Sequence, residues 1–180
     1  MKKLILIFAF LVLGLSQSNA QMLKFGVKAG ANFASLEGDG LEGLETYTSF
    51  HFGALLELKV FENFSLQPEL LYSSQGAKVN SEAVDDINFN YVTVPVLAKF
   101  YLISDRLSVE AGPQFSFLVN ENVADQFEGE TFDFGIAGGL GYNITDNFFL
   151  QARYIAGLTE ASRNADVTNR VIQLSFGFKF

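Results

Sequence analysis

The ten residues Val171-Ile-Gln-Leu-Ser-Phe-Gly-Phe-Lys-Phe180 constrain this chain more than any other stretch. In an extended strand, successive side chains point to opposite faces. Ile172, Leu174, Phe176, Phe178 and Phe180 then share one face, and Val171, Gln173, Ser175, Gly177 and Lys179 share the other. A soluble domain seldom ends on an exposed aromatic ladder. An outer-membrane barrel uses one to seal its last strand in lipid and to set an aromatic ring at the interface.

Seven earlier segments alternate in the same way: Lys24–Phe33, Phe50–Val60, Phe64–Ser73, Asn88–Leu102, Leu107–Leu118, Thr131–Asn143 and Phe148–Leu158. Each is about ten residues or longer, and a tilted membrane strand needs about 9 to 11. Short turns at Phe61-Glu-Asn-Phe64, Ser104-Asp-Arg106 and Thr145-Asp-Asn147 alternate with longer connections, about 34–48, 74–86, 119–130 and 159–169. The expected fold is all-β: an eight-stranded antiparallel up-and-down transmembrane barrel with both termini periplasmic and the long loops extracellular. A soluble calycin-type barrel would carry its apolar residues inside. Here the ionisable strand residues share a face with the glycines, which favours lipid outside; a two-sheet sandwich is the remaining rival.

The N-terminus supplies the route to that membrane. Lys2 and Lys3 precede an apolar run from Leu4 to Leu15, and Ser18-Asn-Ala20 offers small residues for cleavage. Residues 1–20 are therefore expected to be a signal peptide and residues 21–180 the barrel domain. The apolar run is shorter than the roughly 18 residues of a spanning helix. Without its two lysines the mature chain holds 10 basic and 20 acidic residues, a net −10, which argues against a nucleic-acid partner. There is no Cys, so disulfides, thiolate metal sites and cysteine nucleophiles are excluded.

The lumen-facing ionisable set is Lys24, Lys28, His51, Glu57, Lys59, Glu69, Lys99, Glu110, Asp133, Arg153 and Lys179. Eight strands leave a bore that side chains fill, and charges buried there must pair. Lys28, Glu57, Lys59, Glu69, Lys99, Glu110, Asp133 and Arg153 are thus expected to form a polar network closing the bore. A narrow ion or proton path is the functional alternative. His51 is the only histidine. A Ser/His acyl hydrolase would need a serine and an orienting acid within hydrogen-bond reach. A place in the polar lumen is the simpler reading, and no catalytic, cofactor or metal site is assigned. The expected long loops carry 13 of the 20 acidic residues, from Glu37 to Asp166. A solvated loop set outweighs divalent-cation bridging to lipopolysaccharide or a cationic ligand. Pro68, Pro95 and Pro113 fall inside strands, where a missing donor suggests bulges. The run Gly135-Ile-Ala-Gly-Gly-Leu-Gly141 opens no helix, so it is no phosphate loop.

Several stretches carry a family resemblance: Phe25-Gly-Val-Lys-Ala-Gly-Ala-Asn32, Gln67-Pro-Glu-Leu-Leu-Tyr72, Tyr91-Val-Thr-Val-Pro-Val-Leu-Ala-Lys-Phe100, Glu110-Ala-Gly-Pro113, Gly138-Gly-Leu-Gly141 and Arg153-Tyr-Ile-Ala-Gly-Leu158. In these the chain resembles the porin-like outer-membrane β-barrels of Bacteroidota, related to the PorT-like proteins. The resemblance implies a part in secretion or surface assembly and selects no activity. Phe176, Phe178 and Phe180 look like the terminal aromatic signal read by barrel-assembly machinery. The expected role is non-enzymatic: membrane structure, surface contact or assembly, as a monomer among outer-membrane lipid and lipopolysaccharide. A narrow porin-like channel is the alternative, and a lipid-modifying or proteolytic barrel is third.

Overall fold

A strand that is apolar on one face cannot stay an open ribbon, and eight of them side by side bury their polar backbones only by closing on themselves. The computed structural model describes residues 23–38, 44–79, 87–103, 105–122, 132–159 and 167–180. It shows that closure. The strands are β1 (Leu23–Gly38), β2 (Leu44–Phe61), β3 (Phe64–Val79), β4 (Ile87–Ile103), β5 (Leu107–Asn122), β6 (Phe132–Asn143), β7 (Phe148–Gly157) and β8 (Val167–Lys179). Each pairs antiparallel with its sequence neighbours, and β8 pairs with β1 to complete the ring. The closing seam runs from Gly26 opposite Lys179 to Gly38 opposite Val167. No helix among the described residues is long and apolar enough to cross a membrane.

The outer face is apolar. Phe25, Val27, Phe52, Leu70, Phe100, Ile136, Leu150 and Ile172 are all exposed. The inner face holds the polar side chains, with Glu69, Lys99, Arg153 and Gln173 buried. Aromatic rings gather at two heights on the outside. Near the loop end, Phe50, Phe52 and Tyr72 pack together, as do Phe117 and Phe132. Near the short-turn end, Phe61 meets Phe64, and Phe148 meets Phe176 and Phe178. On β2, Phe50 and Phe61 stand 11 residues apart. At roughly 3.3 Å per residue and a tilt of about 40°, that projects to roughly 28 Å, close to the height of a lipid-facing band.

The strands outrun the expected segments at the loop end. β1–β5 have 16 to 18 residues, whereas β6–β8 have 10 to 13. Residues expected in loops, such as 34–38 and 74–79, continue the ladders instead. Alternation reports lipid on one face. Beyond the lipid band the inner face still buries Ala34, Ser74 and Gln75, but the outer face meets water, so the apolar–polar alternation fades while the hydrogen bonds persist.

The prolines are not bulges. Register shifts lie between Thr46 and His51 and between Lys59 and Phe61 on β2, and between Asn90 and Tyr91 and between Tyr101 and Ile103 on β4. At each proline the pairing with the preceding strand skips two rungs and resumes in the same register. β2–β3 passes from Leu55–Glu69 to Leu58–Leu66 over Pro68. β3–β4 passes from Pro68–Val96 to Leu71–Thr93 over Pro95, and β4–β5 from Pro95–Gln114 to Ala98–Ala111 over Pro113. A missing N–H removes a bond without adding a residue.

Candidate functional site: the packed lumen

The bore is filled in tiers. Its middle tier comes from the odd-numbered strands: Lys28 of β1, Glu69 of β3, Glu110 of β5, and Gln151 and Arg153 of β7. Alternation aims each of these side chains inward, and the tilt of the strands brings them to one level. Arg153 Nη1 donates to Glu69 Oε2 at 3.0 Å and Nη2 to Glu69 Oε1 at 2.8 Å. Its Nε and Nη2 also reach Glu110 Oε1 at 3.2 and 3.1 Å. Lys28 Nζ lies 2.9 Å from Glu69 Oε2 and donates to Gln151 Oε1 at 2.7 Å. Gln151 Nε2 donates to Glu110 Oε2 at 2.7 Å, and Gln67 Nε2 to Glu69 Oε1 at 2.6 Å. Two cations and two carboxylates thus cancel within one hydrogen-bonded set, the arrangement that makes buried charge tolerable.

A second tier, toward the short turns, comes from the even-numbered strands. Glu57 of β2 accepts from Tyr101 OH of β4 and from Lys179 Nζ of β8, the latter at 3.0 Å. Lys99 Nζ of β4 stands 3.9 Å from Glu57 and donates to Gln67 Oε1 at 3.0 Å, linking the two tiers. Lys179 Nζ also donates to Asn143 Oδ1 of β6 at 3.0 Å. Below this tier the bore opens into a small cavity of about 40 Å³ bordered by Lys24, Lys59, Tyr101, Asn143 and Lys179.

Toward the loops, His51 sits in a third, uncharged set. Asn32 Nδ2 donates to Phe50 O, Ser73 Oγ and Ser74 O, which fixes Asn32 Oδ1 as an acceptor. His51 Nδ1 donates to that oxygen at 2.7 Å, leaving Nε2, 2.8 Å away, to accept from Ser175 Oγ. Serine, imidazole and an orienting amide therefore stand in the order a nucleophilic triad requires. Asn32 is 0 %, His51 1 % and Ser175 5 % exposed, so no substrate carbonyl reaches the hydroxyl.

The expected network residues Lys28, Glu57, Glu69, Lys99, Glu110 and Arg153 all lie in the two charged tiers. Lys59 does not. It lies two residues nearer the β2–β3 turn than Glu57, in register with Ser65, and at that mouth its Nζ pairs with Asp105 Oδ2 at 2.7 Å on the β4–β5 turn. Asp105 takes a left-handed backbone, φ 57°, which short polar side chains tolerate. Asp133 is buried, but it accepts from Thr159 Oγ1 at 2.6 Å at the loop end. Phe176, Phe178 and Phe180 continue the apolar outer face at the short-turn end, with Phe178 set edge-on to Phe180. Residues 1–22 and most of the acidic loop positions, Asp39, Glu42, Glu82, Asp85, Asp86, Asp125, Glu128, Glu130, Glu160 and Asp166, lie outside the described residues.

Sequence reasoning placed most of the neutral filling on the inward face but assigned it no partners. Gln67 and Gln151 bridge the charges, Gln173 donates to Asn32 in the uncharged set, and Ala34, Leu97, Ala137, Ile155 and Val171 form a buried apolar cluster. Phe149 also points inward: an added Cβ on Gly177 would lie 2.2 Å from its ring. The signal was present, since these residues hold inward positions of the period-2 pattern. Apolar residues on a polar face carry no mark of which neighbour they meet.

A family model described as "Outer membrane protein beta-barrel domain" matches residues 15–163. Among solved structures, the chain is similar to Ail, the attachment invasion locus protein of Yersinia pestis, solved with the heparin analogue sucrose octasulfate. Identity is 17 %, the TM-score 0.57, and 89 % of this chain and 100 % of that chain are covered. Neisserial surface protein A aligns at 15 % identity and a TM-score of 0.62, over 87 % and 97 % of the two chains. OprG of Pseudomonas aeruginosa aligns at 13 % and 0.54, over 87 % and 95 %. No match was found among curated proteins. At these identities the solved structures speak for the fold.

Proposed function

Starting from the premise that this chain belongs to the outer membrane protein beta-barrel domain family, we propose that it is a closed, non-enzymatic outer-membrane barrel. Its role is structural, in surface contact, or in secretion and assembly of the PorT-related kind seen in Bacteroidota. One observation carries the reading. The Lys28–Glu69–Arg153–Glu110 set draws on four strands around the ring and spans the bore with direct hydrogen bonds. What remains for function is the loop end. The long β1–β5 walls rise there, and their connections are acidic. That charge would repel a polysulfated ligand of the kind present with Ail, so a shared fold does not transfer that ligand. The other proposed partners are outer-membrane lipid and lipopolysaccharide around the belt, and barrel-assembly machinery at the terminal aromatic residues. The barrel would act as a monomer with its termini periplasmic.

A narrow channel is the second reading, and one observation favours it. Among the described residues, Ser65 Oγ, Thr93 Oγ1, Gln114 Oε1 and Gln173 Oε1 are buried without a hydrogen-bond partner, as groups along a hydrated lane would be. Planar-bilayer recording of the refolded protein separates the two. The closed barrel gives no steady unit conductance. Selective, reproducible conductance steps would replace it with the channel.

A further inference from the structure

The charges of the two lower tiers do not balance in the same way. In the middle tier Lys28 and Arg153 face Glu69 and Glu110, two against two. At the short-turn mouth three ammonium groups, Lys24, Lys59 and Lys179, line the cavity with two carboxylates, Glu57 and Asp105, and Lys99 is buried behind them, 3.9 Å from Glu57. The acceptors there are already committed. Glu57 takes Tyr101 and Lys179, with Lys99 close by, and Asp105 takes Lys59. Lys24 is different. Its Cα is in register with Glu57 and it borders the cavity, yet no hydrogen bond or ion pair holds its ammonium among the described residues.

An excess of one positive charge on this concave lining, with the buried Lys99 ammonium and low-dielectric walls behind it, raises the local concentration of anions. A cavity of about 40 Å³ has room for two or three water-sized atoms. That is enough for the two oxygens of a carboxylate or for two or three oxygens of a phosphate seated at the opening, and too little for a sugar or nucleotide. Lys24, Lys59 and Lys179 border it from β1, β2 and β8, so an oxyanion seated there meets donors from several sides. Asn143 and Tyr101 complete the wall together with Glu57 and Asp105, whose charges are already met by Lys179 and Lys59. We propose that this mouth binds a small oxyanion, a phosphate or carboxylate group presented from the periplasmic side, with Lys24 as its uncommitted ligand.

The site is independent of whether the bore conducts. It is tested with the full barrel folded in a maltoside detergent, which carries no phosphate, by following amide and lysine side-chain NMR signals. Inorganic phosphate and acetate are titrated over the millimolar range against chloride at matched ionic strength, since exposed charges are screened by salt. Saturable shifts at Lys24, Lys59, Tyr101 and Lys179 are expected with an oxyanion and not with chloride. Lys24→Gln, a rim change outside the buried tiers, is expected to weaken binding roughly tenfold. Glu57→Gln removes an opposing charge and is expected to tighten it, with the folded band on an unboiled gel confirming that this variant closes. Nanodiscs of phosphatidylglycerol without added phosphate distinguish the sources: the same shifts there assign the group to a lipid headgroup, and their absence assigns it to a soluble anion. Shifts that are linear, equal in chloride, or unchanged by Lys24→Gln overturn the proposal.

Discussion

Arg153 ties two carboxylates together with three of its nitrogens and is buried throughout. Replacing it with Met keeps much of the volume but leaves Glu69 and Glu110 facing Lys28 alone. A buried pair broken from one side typically costs about 3–5 kcal/mol. Urea unfolding of Arg153→Met in lipid vesicles is expected to show a loss of that order; an unchanged midpoint would mean that the carboxylates find water. Gly30 makes a different demand. A Cβ there would stand 1.9 Å from the Leu174 carbonyl oxygen and 2.8 Å from His51 Cε1, so the β1–β8 seam needs the bare backbone. Gly30→Val is expected to lower stability by about 1–3 kcal/mol or more, as overpacking does. The yield of heat-modifiable folded barrel should fall with it. At this scale the sequence named the charged members of the tiers, because Lys, Glu and Arg on a glycine-bearing face have no other use. It could not name Asn32, Ser175 and His51 as one set, since they lie on three different strands and meet only through closure.

Single strands carry the next level of information. β8 places Leu174, Phe176 and Phe178 outside and Gln173, Ser175 and Lys179 inside. Its last backbone bond to β1 runs from Phe180 N to Phe25 O at 2.8 Å. Deleting Phe180 removes that bond and the edge-on contact with Phe178, but touches no lumen tier. Membrane insertion of the truncated chain, read as folded outer-membrane protein in cells, is therefore expected to fall several-fold. Normal insertion would reduce the terminal ring to packing. The period-2 pattern located all eight strands, because lipid on one face and a packed bore on the other enforce alternation. It stopped short at the loop end, where β2 begins at Leu44 and β3 runs to Val79, since water in place of lipid outside removes the apolar half of the pattern while the ladder continues. The prolines misled for a related reason. A strand sequence shows that a donor is missing, but whether the ladder bulges or skips depends on the partner strand.

For the molecule as a whole, the decisive question is whether the filled bore stays filled. The middle tier is neutral and dense with direct hydrogen bonds, so a bilayer containing the protein should remain electrically silent at moderate voltage. Arg153→Met, by contrast, should admit leak currents if it inserts. Current through the wild-type barrel equal to that of the variant would remove the tier from its sealing role. The sequence by itself determined the strand count, the inside-out polarity and the membrane as the surrounding solvent. These follow from local periodicity, which neighbouring residues write directly. Only the tertiary structure decided which charges pair, that odd and even strands form alternate tiers, and that Lys59 leaves the network while Lys24 remains uncommitted at the mouth. Those outcomes depend on strand tilt, register and bulges, which set the height of each inward side chain. Height in a closed barrel belongs to the ring of eight strands and to no single segment of the chain.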